Sequence, residues 1–423
     1  MSFKKGTHLP NFISKLYYWF TPENRVLTVI LTVAMAQGLS SITELATSYL
    51  YKDDYHLHPA QVNALIGFIS IPWLIKPAWG LISDNVTFFG YRRRSYLFLM
   101  GCVCGLCLIG LGTWSSTIKS GFIILFLNSL GFAFNNVIGE ALIVESAQNY
   151  SIQAGRSEED KQKEASKNVS MFFGVKSCGI LISSYLSGLV LEYLDKRQVF
   201  LIASCLPFMV AVMSNLLPEK KMSQEERIRL QQQQETEDET EGLVLESNKK
   251  KNAKFNADTY SKIKAFVSQP TIYKPIGFLL LFLITPSAGS VMFYFYTNEL
   301  GFAPEFMGQL RLANSCASVL GIYIFNKYLR NVPFKKILFW SSIICFVLGL
   351  TQILLVTRAN VALGIPDKLF CLGDSLIIQT FAEINMMPLL VLACRLCPKN
   401  IEGTMYALMM SIYNFGGMVS VQL

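Results

Sequence analysis

Eleven apolar stretches, each close to the roughly 20 residues that an α-helix needs to cross a bilayer, recur along this 423-residue chain. They run over 26–51, 60–82, 95–114, 121–146, 168–194, 199–217, 273–296, 304–328, 333–356, 366–392 and 401–421. Hydrocarbon offers the backbone N–H and C=O groups no partner, so segments of this kind cross a membrane only as helices that satisfy themselves. Composition supports the reading: 52% of residues are hydrophobic and 16% charged, too apolar for an ordinary aqueous surface. An all-α polytopic membrane protein is expected.

Lys and Arg are distributed unevenly across these stretches. The segments on one side carry 28 of the 37, the segments on the other side 6, and Lys76, Lys176 and Arg311 lie inside stretches. Basic loops stay in the cytoplasm, so the N-terminal segment 1–25 is expected there. That segment has no apolar core before a small-residue cleavage site, which leaves the first helix to act as the insertion signal. The sequons at Asn85, Asn149 and Asn168 fall on the same side and are expected to stay unused. The plasma membrane is the first expectation for location, an organelle membrane the alternative.

Residues 218–272 are polar and rich in charge of both signs, and read as a cytoplasmic, largely disordered linker. They separate an N-terminal six-helix bundle, 26–217, from a C-terminal bundle, 273–423, which counts one helix short of six; truncation and a miscount are the two explanations. Two six-helix halves joined by a long central loop is the layout of the major facilitator fold, in which a substrate site lies between the halves near the midplane.

Several functional classes are disfavoured. All ten cysteines fall in stretches or at their ends, so no disulfide framework is expected. Cys394-x-x-Cys397 has metal-like spacing but neither a second pair nor a nearby histidine. His8, His56 and His58 are the only histidines and lie outside the helices, which argues against a lipid-modifying enzyme with a histidine cluster in the membrane. No enzyme activity, cofactor, metal or nucleic-acid partner is expected.

Ionised side chains inside the stretches are costly and mark function by default. The candidate bases are Lys76, Lys176 and Arg311; the candidate acids are Glu44, Glu140, Asp374 and Glu383. Lys76 sits between Pro72 and Pro77, each of which removes a backbone donor and frees an upstream carbonyl, so a kinked helix is expected there, with the ammonium filling the gap or pairing with an acid of the fourth span. Pro286 breaks the seventh span, and Phe293 to Tyr296 after it read as an interfacial aromatic belt or as ligand-stacking surface. Asp374 and Glu383, nine residues apart, point to nearly opposite helix faces.

The motif PWLIKPAWGLISD at 72–84, continued by Gly90-Tyr91-Arg92-Arg93 and Tyr96, is long and specific. A second runs from Asp374 through Met387-Pro388-Leu389-Leu390, Arg395, Cys397-Pro398 and Glu402-Gly403-Thr404 to 411–414, and a third comprises Asn136, Glu140 and Glu145. On these residues the chain resembles the folate-biopterin transporter family of the major facilitator superfamily. Asn136 stands where that family tends to carry an acid, which puts coupling through this position in doubt.

The resemblance implies a secondary transporter that moves folate, a pterin or a related anionic heteroaromatic compound by alternating access, coupled to protons. Another organic anion or amino-acid-like solute, and a transport-inactive receptor or partner, are the alternatives. A pterin edge offers paired N–H donors that a carboxylate accepts, whereas a folate tail carries carboxylates that need a base. Lys176 and Arg311, on helices that border the cleft in this fold, are expected to meet the anionic end of the substrate, with Asp374 and Glu44 as binding acids and Glu140 and Glu383 as proton carriers. A structural ion pair is the alternative for each base, and a helix–helix hydrogen bond for Asp374. Lys76, Gly80, Asp84, Arg92 and Arg93 are assigned to gating. The expected partners are the small-molecule substrate, protons and the lipid bilayer, with the protein a monomer.

Overall fold

The computed structural model describes residues 24–154, 158–219, 270–329, 332–395 and 402–422. The described residues form eleven long rods: α1 Arg25–Asp54, α2 59–85, α3 Arg94–Thr113, α4 Ile118–Ala154, α5 Glu158–Tyr193, α6 Lys196–Ser214, α7 270–299, α8 304–329, α9 Phe334–Val356, α10 Asp367–Arg395 and α11 Glu402–Gln422. Six of them contain a continuous segment long and apolar enough to cross a membrane, those within α1, α3, α4, α5, α6 and α9. The others are broken by proline or interrupted by polar side chains.

Six rods precede the 220–269 segment, which lies outside the described residues, and five follow it. The end at which α1 finishes and α8 begins is called here the far end, the opposite one the near end. Buried apolar side chains from α1, α3, α4, α5 and α6, centred on Ile30, Leu97, Phe134, Ile138 and Phe172, form a core in the first six rods. A second cluster joins the halves at the far end: Leu45 and Tyr49 of α1 pack with Phe306, Met307 and Leu310 of α8, Leu355 of α9 and Cys371 of α10. Outward, α9 exposes Phe339, Trp340 and Phe346, each more than 60% accessible, as a lipid-facing surface does.

Backbone contact brings α5 and α8 together. A Cβ at Gly188 would stand 2.6 Å from the Gly308 Cα, and the converse holds at Gly308, so only two glycines allow this approach. Toward the near end, the hydroxyls of Ser184 and Ser315 lie 2.9 Å apart. At the far rim, Tyr294 of α7 donates to the Leu57 carbonyl. Asp54 holds Lys196 at 2.7 Å and Arg197 at 2.9 Å, tying α1 to α6. Beside them Tyr55, whose phenol burial pushes up from its usual range, donates to the Ser115 carbonyl at 3.0 Å.

The proline kinks fall where expected, and the carbonyl that Pro77 frees has a partner. In α2 the helical segments are Pro59–Ile69, Ile71–Leu74 and Lys76–Asn85. Pro77 cannot donate to the carbonyl four residues back, that of Trp73. Asn414 of α11 donates to it instead, at 3.0 Å, across the two halves, and the Trp79 indole donates to the Pro72 carbonyl at 2.8 Å. This bond lies about midway along both α2 and α11. Asn414→Leu is therefore expected to destabilise the purified protein by about 1 kcal/mol, the ordinary worth of such a bond in a membrane bundle. In a Pro77→Ala background, where the helix supplies its own N–H, the same change should cost close to nothing; thermal unfolding of the four proteins measures that coupling. In α7 the break after Leu283 contains Pro286, and the freed Ser287 N–H donates to the Ser420 carbonyl of α11 at 2.9 Å.

Candidate functional site

The intramembrane charges fall on two levels. At 1.5 Å per residue, Glu44, Arg311 and Asp374 lie roughly 10–15 Å from the far end of their rods, and Lys76, Glu140, Lys176 and Glu383 roughly 24–33 Å from it. Lys176 and Arg311, both expected at the anionic end of the substrate, thus stand about 15 Å apart along the bundle axis. Glu158–Tyr193 is a single helix that begins ten residues before the apolar stretch, and α5 and α8 run in opposite directions, so depths counted from their starts are measured from opposite ends.

At the far level the two halves line an open pocket of about 430 Å³, within the range of small-molecule sites. Glu44 of α1, Ile180 and Ser184 of α5, Phe293 of α7, and Arg311 and Asn314 of α8 contribute to its wall. Ser41, Ser48 and Ser315 add hydroxyls, so the lining offers many hydrogen-bonding groups around one cation and one anion. Phe293 also packs edge-on against Tyr49 at 5.3 Å, which places this aromatic at the junction of the halves and not in an outer belt.

Arg311 bridges the halves. Its Nη2 donates to the Glu44 carboxylate and, at 3.3 Å, to the Ser41 carbonyl, both on α1. The Arg311 side chain is 24% accessible and that of Glu44 65%, so the pair is open to water and to a ligand from the acid's side. Among the described residues, Nε and Nη1 have no protein partner. A structural ion pair stood as the alternative for Arg311, and its partner is Glu44.

Asp374 is not in the lining. Thr351 of α9 donates to its carboxylate, which is the helix–helix hydrogen bond that stood as its alternative. Glu383 accepts from Gln379 at 3.2 Å, and its Cβ packs beside Gly321 of α8, so it shares no site with Asp374.

At the near level, Lys76 and Glu140 form an ion pair at 3.4 Å, joining α2 to α4, and the ammonium lies 5.3 Å from the centre of the Trp73 ring. Lys176, half-buried on α5, is within electrostatic reach of both. It stands on the same face of α5 as Ile180 and Ser184 but one turn below the cavity wall. Asn136 is buried and donates to Gln37 of α1 at 3.2 Å, a neutral contact without a titrating group.

The α2–α3 turn is organised from an unexpected direction. The carboxylate of Glu219, at the start of the linker, accepts the backbone N–H groups of Arg92 at 2.9 Å, Arg93 at 3.0 Å and Arg94 at 2.9 Å, neutralising the N-terminus of α3. Arg93, buried, donates to the Ser83 hydroxyl at 2.6 Å, and Arg94 to Asn215 at 2.9 Å. A Cβ added at Gly80 would stand 3.8 Å from the Val137 side chain of α4. The side chains of Asp84 and Glu145 and the whole of Cys397 lie outside the described residues, as does the 1–23 segment. The eight cysteines whose side chains are described are free, and the side chain of Cys394 is not among them.

Sequence reasoning overlooked Ser184, Asn314 and Ser315 of the wall, and Glu219. The Ser-x-x-x-Gly spacing in the fifth stretch was the one available signal, legible as packing but not as a site. Asn414 lay inside a quoted motif without an assigned role.

Comparison with known proteins agrees with this architecture. Solved structures superpose over almost the whole chain: a nucleoside transporter, NupG, with TM-score 0.64 at 13% identity over 95% of this chain and 89% of that one, and a D-xylose–proton symporter with TM-score 0.61 at 14% identity over 94% and 88%. At such identities the likeness establishes the fold, which is the major facilitator fold. In sequence the chain is 38% identical to a protein of Synechocystis sp. named folate-biopterin transporter, over 99% of this chain and 77% of that one. It is 34% identical to folate transporter 1 of Plasmodium falciparum, over 92% and 70%. The profile of the BT1 family matches residues 37–423, and the chain, a multi-pass integral membrane protein, belongs to the BT1 family.

Proposed function

We propose that this protein carries a folate, a pterin or a related anionic heteroaromatic compound across a membrane by alternating access, coupled to protons. The observation that carries the reading is the far-level cavity, walled by α1 and α5 of one half and α7 and α8 of the other, with Arg311 as its cation. A site shared by two bundles can be opened from one side or the other by rocking 26–217 against 273–423. The names of the Synechocystis and Plasmodium relatives supply the substrate class. The chemistry suits it: a guanidinium for a carboxylate, hydroxyls and an amide for ring heteroatoms, and Phe293 for a flat face.

In this reading Arg311 and Glu44 act at the substrate, and Lys176 one turn below receives the anion as it moves toward the near end. Glu140, paired with Lys76, and Glu383 are the proton carriers. Lys76, Gly80, Asp84, Arg92 and Arg93 serve gating, through the kink in α2 and the turn that Glu219 holds. The protein works as a monomer with its N-terminus cytoplasmic.

Proteoliposomes or cells expressing the chain test it with labelled folate at an acidic and at a neutral external pH. Saturable accumulation, faster on the acidic side and competed by pterin, is expected. Binding without accumulation contradicts the carrier reading, and equal rates at both pH values contradict the proton coupling alone.

A further inference from the structure

A guanidinium offers a carboxylate two forks, Nε with Nη2 along its side and Nη1 with Nη2 across its tip. Both include Nη2. In Arg311 the two hydrogens of that nitrogen go to the Glu44 carboxylate and the Ser41 carbonyl, while Nε and Nη1 have no protein partner among the described residues. A substrate carboxylate can therefore gain two-point binding only by taking the place of one of these α1 oxygens. Glu44 is the one that can leave, because its side chain is 65% accessible and can be hydrated in the cavity, whereas the Ser41 carbonyl is fixed by the backbone.

We propose that Glu44 is a built-in competitor for the substrate carboxylate on Arg311: it occupies the guanidinium in the empty protein, and a carboxylated ligand displaces it. This deepens the proposed function and rests on it for the site, but it specifies more. The pair links α1 to α8, so the exchange removes an ionic tie between the halves in the same step that fills the site. Occupancy is thereby coupled to loosening of the far-end closure, since the ligand binds best the state in which the tie is broken. A neutral pterin has no group that replaces Glu44 and leaves the tie in place, so Glu44 lowers the affinity advantage of carboxylated over uncharged pteridines while letting only the carboxylated ones release the tie.

Glu44→Gln tests this directly. Removing the competing charge should tighten binding of folate relative to biopterin by about tenfold, a single decade in the affinity ratio. Binding of p-aminobenzoylglutamate, which has the tail carboxylates without the pterin ring, should tighten by a similar factor. The double variant Glu44→Gln/Arg311→Gln leaves a neutral pair that keeps the packing and should lose the folate preference altogether. Equal weakening of all three ligands by Glu44→Gln, or an unchanged ratio in protein that purifies normally, overturns the inference and leaves the carrier reading standing. A double variant that still prefers folate overturns it as well. Tighter p-aminobenzoylglutamate binding in Glu44→Gln together with no binding of either pteridine supports the exchange while removing pteridines as the substrate class.

Discussion

Arg311→Glu is expected to reduce folate uptake by at least about two orders of magnitude, because the substrate carboxylate loses charge-assisted hydrogen bonds worth about 1.5–3 kcal/mol and meets a like charge in their place. The new carboxylate would face Glu44 across the same gap and repel both it and an anionic ligand. Unconjugated pterin uptake should fall much less, since its ring does not need the guanidinium. Initial rates for the two ligands in the same membrane preparation give the comparison, and equal loss of both would contradict the role of Arg311 at the carboxylate end. Swapping the pair, Glu44→Arg with Arg311→Glu, should recover the protein yield without recovering folate uptake, because it restores the tie between α1 and α8 but moves the cation to the other wall.

Gly308→Leu is the second large effect. Overpacking a side chain into an ordinary core costs about 1–3 kcal/mol, but here the obstacle is backbone. The added Cβ alone would stand 2.6 Å from the Gly188 Cα, so α5 and α8 must separate. Separation also breaks the Ser184–Ser315 contact and stretches the Glu44–Arg311 bridge on the neighbouring turns. Uptake should drop to background, and a water-soluble maleimide should label Ser184→Cys faster in the Gly308→Leu background than in its absence. Gly349→Leu in α9 is the control, for a Cβ there meets nothing within 4 Å and should leave transport unchanged. Normal uptake and normal melting of Gly308→Leu would mean that the α5–α8 contact is not part of the working cycle.

The rods were legible because their cause is local. Hydrocarbon imposes a length and a composition on every crossing, and the eleven stretches read from hydropathy correspond to α1 to α11 to within a few residues at most ends. The exceptions are α4, which runs eight residues past its stretch to Ala154, and α5, whose polar first turns, from Glu158, hydropathy cannot register. The kinks at Pro72, Pro77 and Pro286 were legible for the same reason, since a missing N–H is a property of the residue itself. The pairing of Lys76 with an acid of the fourth span was also foreseen, as one of two fates for its ammonium, and Glu140 is that acid.

The far-level site was legible only in part. The four charges assigned to the substrate were singled out by their cost in hydrocarbon, but cost names the residue and not its partner. Asp374 illustrates the limit: a carboxylate inside a helix must find a donor, and the sequence contains many. Thr351, twenty-three positions away on α9, becomes its donor through the packing of α9 on α10. Arg311 meets Glu44 across 267 positions because Gly188 and Gly308 let α5 and α8 touch, bringing α1 of one half against α8 of the other.

Local chemistry, readable residue by residue, thus dictated the membrane as solvent, the helices, their breaks and the roster of expensive charges. Which charge faces which, where the halves leave a void, and which freed carbonyl an Asn414 finds depend on contacts between segments hundreds of positions apart. Those distances are set by the packing of whole rods, and no single stretch of chain encodes them.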